Sequence, residues 1–498
     1  MAVSLAAVLV LIPTLVVSLI YYLLSGKKPS SNGQRRLPPS PPGLPFLGHL
    51  HFLGSLPHRG LGSLAAKHGP VLLIRLGRVP TVLVSSAVAA EEVMKSRDLA
   101  FASRPRVVMA ERLLYGRDVA FAPYGDYWRQ TRRICAVHLL SPRRILSFRR
   151  VREEEAAALV ERVRTSAGAG AVVDLSELLI AYANYVVCRA AFGDDSARGL
   201  YEGDDRGREL RKVFAQFDVL LGTTPLGELL PGMGWVDFVR GLEGKARRTF
   251  EALDGMVEKV IEDHRRRRRQ AGGRQMRDDV DGNDHRDFVD VLLDDMFAGG
   301  TSTTTTAMEW TMAELIAHPH AMRKLQDEIR AAVGGADHVT EDHVDKVGYL
   351  KAVVKETLRL HPPVPLLVPR EPPADAEILG HHVPARTQVV INSWAIGRDP
   401  ATWERPDEFW PERFLDSSVD FRGQDFELLP FGAGRRGCPG IGFAMSTLEM
   451  AIASLLHHFD WEPAGGNVPG TLLDMSEVNG IAVRIKGGLP LVAKAWFP

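Results

Sequence analysis

Apolar positions along this chain recur in two rhythms, which together predict a mainly α protein with a minor β region. Val71–Leu76 and Thr81–Val84 are short runs rich in branched residues, the pattern of strands, and a third such run spans 387–392. Apolar residues spaced three and four apart predict helices over 143–165, 176–192, 245–270, 310–333, 346–360 and 441–458. The two kinds of element interleave too closely to be divided into sequential domains, so the polar part of the chain reads as one large domain over 47–498.

The first residues follow neither rhythm. From Ala2 to Leu24 there is no charged side chain. At 1.5 Å per residue, a helix of that length covers about 34 Å, enough to cross a bilayer core. A signal peptide would carry a charged start and a shorter apolar core, and neither is present. Lys27, Lys28, Arg35 and Arg36 follow at once, which predicts a single-pass anchor over 1–25 with the bulk of the chain cytosolic. Leu37–Pro45 is crowded with prolines, a stiff connector that cannot continue a helix, so 26–46 is a basic and proline-rich hinge. The run Arg265–Arg269 closes a helix, where cations suit the macrodipole.

Composition removes some classes of function. Lys+Arg and Asp+Glu both number 61, so no net positive charge invites nucleic acid. The three cysteines, Cys135, Cys188 and Cys438, are an odd and sparse set that suits a reducing compartment.

One cysteine stands in a setting of its own. Cys438 lies in Phe431-Gly-Ala-Gly-Arg-Arg-Gly-Cys-Pro-Gly440, just before the apolar helical pattern of 441–458. A thiolate is a soft, strongly donating metal ligand. Glycines on both sides allow a flat macrocycle to approach the backbone and turn amide N–H groups toward the sulfur. Arg436 can reach an anionic rim of such a group, with Phe431 and Gly440 beside it. The bland alternative is a buried structural cysteine on a glycine-rich loop.

The spacing F-x-x-G-x-R-x-C-x-G resembles the haem-binding loop of the cytochrome P-450 family, in which a cysteine thiolate is the proximal ligand of haem b iron. Further motifs follow the family's order: Glu356-Thr-Leu-Arg359 is similar to its E-x-x-R, and Pro411-Glu-Arg413-Phe to its P-E-R-F. The resemblance implies the cytochrome P-450 fold, with Glu356, Arg359 and Arg413 in a buried charge network behind the haem. It implies that Trp128 and Arg132, one helical turn apart, and Arg370 reach the haem propionates. On the distal side, Gly299-Gly300-Thr301-Ser302-Thr303 resembles [AG]-G-x-[DE]-T, with Thr303 as the proton-delivering hydroxyl. Ser302 stands where that pattern has an acid, which admits a relay built on Ser302 and water. About 30 residues that relatives carry before the glycines are absent near 293–296. Either the distal helix is shortened there, or Phe288–Ala317 supplies it by drawing in the preceding segment.

Phe121–Arg129, Trp394–Pro400 and Ser418–Pro430 resemble plant A-type members of clan seventy-one, which sit on the endoplasmic reticulum membrane. The implied reaction is hydroxylation of a small lipophilic specialised metabolite with O2. Its electrons come from NADPH through NADPH–cytochrome P-450 reductase, docked on a basic face that includes Arg129, Arg133 and Arg435. No dinucleotide-binding glycine fingerprint appears, in keeping with an external electron source. By the same resemblance, Val107, Val108, Ala298, Val364, Leu366, Leu367, Asn479 and Ile481 line the substrate pocket. A haem-thiolate dehydratase or lyase acting on aldoximes, and a catalytically impaired haem-binding membrane protein, are the rival expectations.

Overall fold

In the computed structural model, residues 36–114, 116, 118–168, 171–192, 206–270, 286–464 and 473–496 are described. The expected anchor over 1–25 and the first part of the hinge, 26–35, lie outside them. Among the described residues, no helix is long and apolar enough to cross a membrane.

Ten helices set out the frame: α1 Asp126–Ile134, α2 Arg149–Ala167, α3 Leu175–Phe192, α4 Arg206–Leu221, α5 Gly234–Val239, α6 Leu242–Gln270, α7 Arg286–Ala317, α8 Pro319–Val333, α9 Gly348–Leu360 and α10 Ile441–His458. The strand runs read from the sequence pair as expected of branched residues. β1 (Val71–Leu76) and β2 (Val79–Val84) form an antiparallel hairpin. A strand at Gln388–Ile391 adds to β2 in parallel. A second small sheet joins Val172–Asp174, Phe459–Pro463 and Pro490–Ala495.

Two helix boundaries differ from the pattern-based reading. The helix expected over 310–333 is two, α7 and α8, broken at His318 (φ −122°, ψ 74°). Pro319 lacks an N–H and disfavours the helical conformation in the residue before it. The pattern over 143–165 likewise splits at Phe148 (φ −91°, ψ 3°), between Pro142–Ser147 and α2.

The long helix α7 runs unbroken for 32 residues, about 48 Å, and its first turns are Asp287–Leu293. Of the two sequence-based alternatives, this is the one in which the preceding segment is drawn into the helix. The main core packs α7 against α3 and α10, with Tyr182, Val186, Met308, Trp310, Met312, Leu448 and Ile452 among its fully buried members. A second core of aromatic residues, Phe214, Phe217 and Phe297, ties α4 to α7. Close packing is read at Gly300, where a Cβ would lie 3.0 Å from Val187 of α3.

Candidate functional site

The loop before α10 presents Cys438 through backbone geometry that glycine makes possible. Gly434 has φ +66°, and a Cβ there would lie 1.9 Å from the Met94 carbonyl. The turn Gly434–Arg436 follows, and then the Cys438 N–H donates to the Phe431 carbonyl at 2.9 Å. The Gly440 N–H donates to the sulfur at 3.3 Å. Cys438 faces a cavity of about 310 Å³, with protein on its other sides. Burial therefore pushes the thiol pKa up, against the Gly440 N–H and the Arg132 guanidinium, which pull it down. A sulfur so placed ionises readily only when a cation joins it, and a metal is such a cation.

Opposite the loop, α7 presents Gly299, Gly300, Thr303, Thr304 and Ala307, the three-and-four spacing of one helical face. The Thr303 hydroxyl donates to the Gly299 carbonyl at 2.5 Å. Ser302, one residue earlier, points about 100° round the helix. It does not line the cavity, and its hydroxyl donates to Asp218 Oδ2 of α4 at 2.6 Å. The expectation that Ser302 works at the cavity itself is thereby corrected.

Four arginines surround the remaining rim: Arg104, Arg132, Arg370 and Arg436. All four donate to carbonyls. Arg104 reaches Ala120, Val368 and Pro369, Arg132 reaches Gly437 at 2.5 Å, and Arg370 reaches Phe101 and Ala433. Arg436 reaches Ala102 at 2.6 Å and Ala122 at 2.7 Å. Among the described residues, none of the four forms an ion pair with a carboxylate. Burial lowers the pKa of Arg370 to about 10 and that of Arg436 to about 9, helped in the latter by Arg370. Asp118 is the buried acid that offsets Arg104. One of its oxygens accepts the Phe121 N–H at 2.6 Å and the other has no partner, and burial pushes its pKa up to about 6. A ring of buried cations short of anions fits a group that brings carboxylates of its own.

Trp128 lines the cavity as well. Its indole N–H is spent on the Val119 carbonyl at 3.0 Å, and its ring face carries the Arg436 guanidinium at 4.0 Å. It thereby braces the rim arginine Arg436 from within the cavity lining.

Behind the cavity, Glu356 accepts from Arg359 at 2.7 and 2.8 Å, from Arg413 at 3.1 Å and from the Trp410 N–H at 2.8 Å. Glu356 and Arg359 are fully buried, and Arg359 also donates to the carbonyls of Gly397, Pro406 and Glu408.

Of the expected pocket residues, Val364 and Leu367 line the cavity. Leu367 does so at a left-handed backbone angle, φ +51°, closing a turn on the Val364 carbonyl. That turn sends Leu366 the other way, onto Leu61, Leu64 and Leu72. Val107, Val108 and Ile481 pack on the neighbouring aromatic core, and Asn479 is exposed. The side chain of Ala298 lies outside the described residues. Sequence reading missed Arg104, a basic residue in Ser103-Arg-Pro with no distinguishing spacing. It also missed Asp218, although an acid inside the apolar stripe Phe214, Phe217, Leu220, Leu221 was a visible signal.

Comparison with known proteins gives one answer throughout. The family model described as Cytochrome P450 matches residues 38–488. Cytochrome P450 71A1 of Persea americana is 47% identical over 474 residues, covering 90% of this chain and 91% of the relative. A norfluorocurarine oxidase of Strychnos is 42% identical, covering 95% of each chain. A phenylacetaldehyde oxime monooxygenase of Prunus mume is 40% identical, covering 98% and 95%. Among solved structures, a zebrafish cytochrome P450 with abiraterone superposes with a TM-score of 0.70 at 25% identity, covering 89% of this chain and all of that one. The 474 aligned positions of the first relative take in only 90% of these 498 residues. That relative therefore carries some two dozen residues with no counterpart here.

Proposed function

Because the chain belongs to the cytochrome P450 family, monooxygenases that carry haem on a cysteine thiolate and draw electrons from a reductase, we propose that it hydroxylates a small lipophilic plant specialised metabolite. The observation that carries this reading is the cavity between Cys438 and the Thr303 face of α7, rimmed by four arginines without acid partners. When bound there, haem supplies the oxygen-activating chemistry, with a thiolate ligand that favours O–O cleavage.

The residues divide that work. Cys438 would hold the iron, with its charge stabilised by the Gly440 N–H and Arg132. Arg104, Arg132, Arg370 and Arg436 would hold the two propionates, with Trp128 bracing Arg436. Thr303 lines the cavity with its hydroxyl back-bonded to the Gly299 carbonyl, and on release of that bond Oγ would be the group that supplies a proton there. Val364, Leu367, Val368 and Ala307 make an apolar wall that selects lipophilic substrates and excludes water.

The exposed arginines Arg129 and Arg133 lie on α1, whose Arg132 reaches Gly437, and the exposed Arg435 lies in the Cys438 loop itself; the acidic face of NADPH–cytochrome P-450 reductase would dock on them. The apolar start of the chain would anchor the protein in the endoplasmic reticulum membrane with this face in the cytosol.

The test is the reduced protein under carbon monoxide. Wild type should show the red-shifted absorption band of haem-thiolate, and Cys438→Ala should lose it. A Cys438→Ala protein that kept the band would refute the assignment. A metabolite screen with reductase then identifies the substrate. Dehydration of an aldoxime is the second reading, favoured by Ser302 turning away from the cavity and leaving no acid on the described distal face. Turnover that needs neither NADPH nor oxygen would decide for it.

A further inference from the structure

Helix α4 buries one acid in its apolar face. Asp218 is 1% exposed among Phe214, Phe217, Leu220 and Leu221. Its carboxyl accepts the Ser302 hydroxyl of α7 at 2.6 Å, and its carbonyl accepts the Ile481 N–H at 2.8 Å. Arg484, on the strand Arg484–Ile485, lies 3.2 Å from the same carboxyl oxygen, as an ion pair not aligned for a hydrogen bond. Three elements meet on this one residue, with little slack: a Cβ on Gly480 would lie 3.1 Å from the Asp218 carbonyl.

A carboxyl is an expensive way to join apolar elements, since burying it forfeits hydration that a leucine would not need. What it grips is the residue next to Thr303, at the one position of the distal motif where an acid was expected and serine stands. We propose that Asp218 is a positioning residue for the distal wall: delivered from α4, its carboxyl acts through Ser302 to fix the Gly299–Thr303 turn, in place of an acid on α7 itself. This rests on the haem reading of the cavity.

The grip is sensitive to pH. The groups facing the carboxyl are Ser302 and Glu309 of α7 and Arg484. Burial pushes its pKa up to about 7, with Glu309 adding to the rise, while Arg484 and Ser302 draw it down. A carboxyl whose pKa is raised by folding supports stability at low pH, and that support is lost as pH rises through about 7.

The test uses the full-length, haem-loaded protein with carbon monoxide as the probe, its C–O stretch followed by infrared from about pH 5.5 to 8.5. Thermal unfolding is measured over the same range. Wild type should show a shift of the C–O band centred near pH 7, and a melting temperature that falls from about pH 5.5 toward about 7 and levels off above it. Asp218→Asn should lose both. Ser302→Ala, a milder change that keeps the test alive if Asp218→Asn fails to fold, should lose the band shift. Ser302→Asp alone should melt lower, because two acids then share one site. The exchange Asp218→Ser with Ser302→Asp should recover the shift. A wild-type band that does not move, or an exchange variant without the shift, overturns the proposal. If the haem-thiolate band never forms, the haem reading fails and the proposal with it; a normal band that is blind to pH sinks the proposal alone.

Discussion

At position 434 one added methyl group collides with the backbone. Gly434→Ala brings a Cβ within 1.9 Å of the Met94 carbonyl, at a φ of +66° that alanine avoids. The expected result is a protein that folds around a displaced loop and binds little haem, measured by the haem content of purified protein. Glu356→Gln should cost more in stability. It removes the charge that pairs Arg359 and Arg413 in a dry setting, and losing one partner of a buried pair typically costs about 3–5 kcal/mol. Calorimetric melting of the two variants separates the effects, since only Glu356→Gln should fall that far. At this scale the sequence was legible where chemistry depends on near neighbours: the Cys438 loop and the Glu356/Arg359 pair are local in the chain. It was opaque where two distant segments meet. That the Trp128 indole is used on Val119, and that Arg104 reaches Val368, depends on packing across the fold.

Among the elements, the junction of α7 and α8 has its own electrostatics. Glu314, near the end of α7, is bonded by His361 at 2.6 Å and approached by His318 Nδ1 at 3.2 Å, and His361 stacks on Trp310 at 3.9 Å. Burial pushes the Glu314 pKa up, but the two histidines outweigh it and hold it at about 2. A lowered carboxylate pKa means stability present in full above the ordinary value and lost as pH falls toward about 2. Glu314→Gln should therefore flatten the acid limb of a melting-temperature profile below about pH 4.5, while leaving the neutral region lower by about 2–3 kcal/mol. A variant profile parallel to wild type would contradict this. Thr303→Ala should change little in stability, since its hydroxyl only back-bonds to its own helix, yet lower product formed per NADPH consumed. Strands β1 and β2 and helices α9 and α10 were readable from periodicity alone. The break at His318 was not, because the apolar rhythm continues through Pro319 and only the missing N–H interrupts it.

For the molecule as a whole, one face stands out. Trp235, Phe238 and Val239 of α5 are 63%, 82% and 74% exposed, and Phe46 is 62% exposed. The two patches are linked through the β1–β2 turn: Gly77 donates to Leu47, and Arg78 donates to Leu229, just before α5. Apolar side chains gathered where the chain leaves for its uncharged start suit contact with lipid. Replacing Trp235, Phe238 and Val239 with serine in protein freed of residues 1–35 should weaken binding to phosphatidylcholine vesicles at least about tenfold. The haem-thiolate band should stay intact, and unchanged vesicle binding would show that this face is not a lipid contact. Sequence periodicity does not reveal such a face, because six residues of α5 are too few to display a stripe.

The left-handed turn at Leu367 bears on how this cavity can change over evolutionary time. Most wall positions accept any apolar side chain that fits the volume. Position 367 is filtered first by its backbone, which admits glycine, asparagine or aspartate more readily than valine or isoleucine. Selection for a bulkier, branched wall is therefore blocked there. Exchange for a short polar residue is comparatively open, and it would place a hydrogen-bonding group in an otherwise greasy wall. A lineage in search of a new, more oxygenated substrate would find its easiest step at this residue.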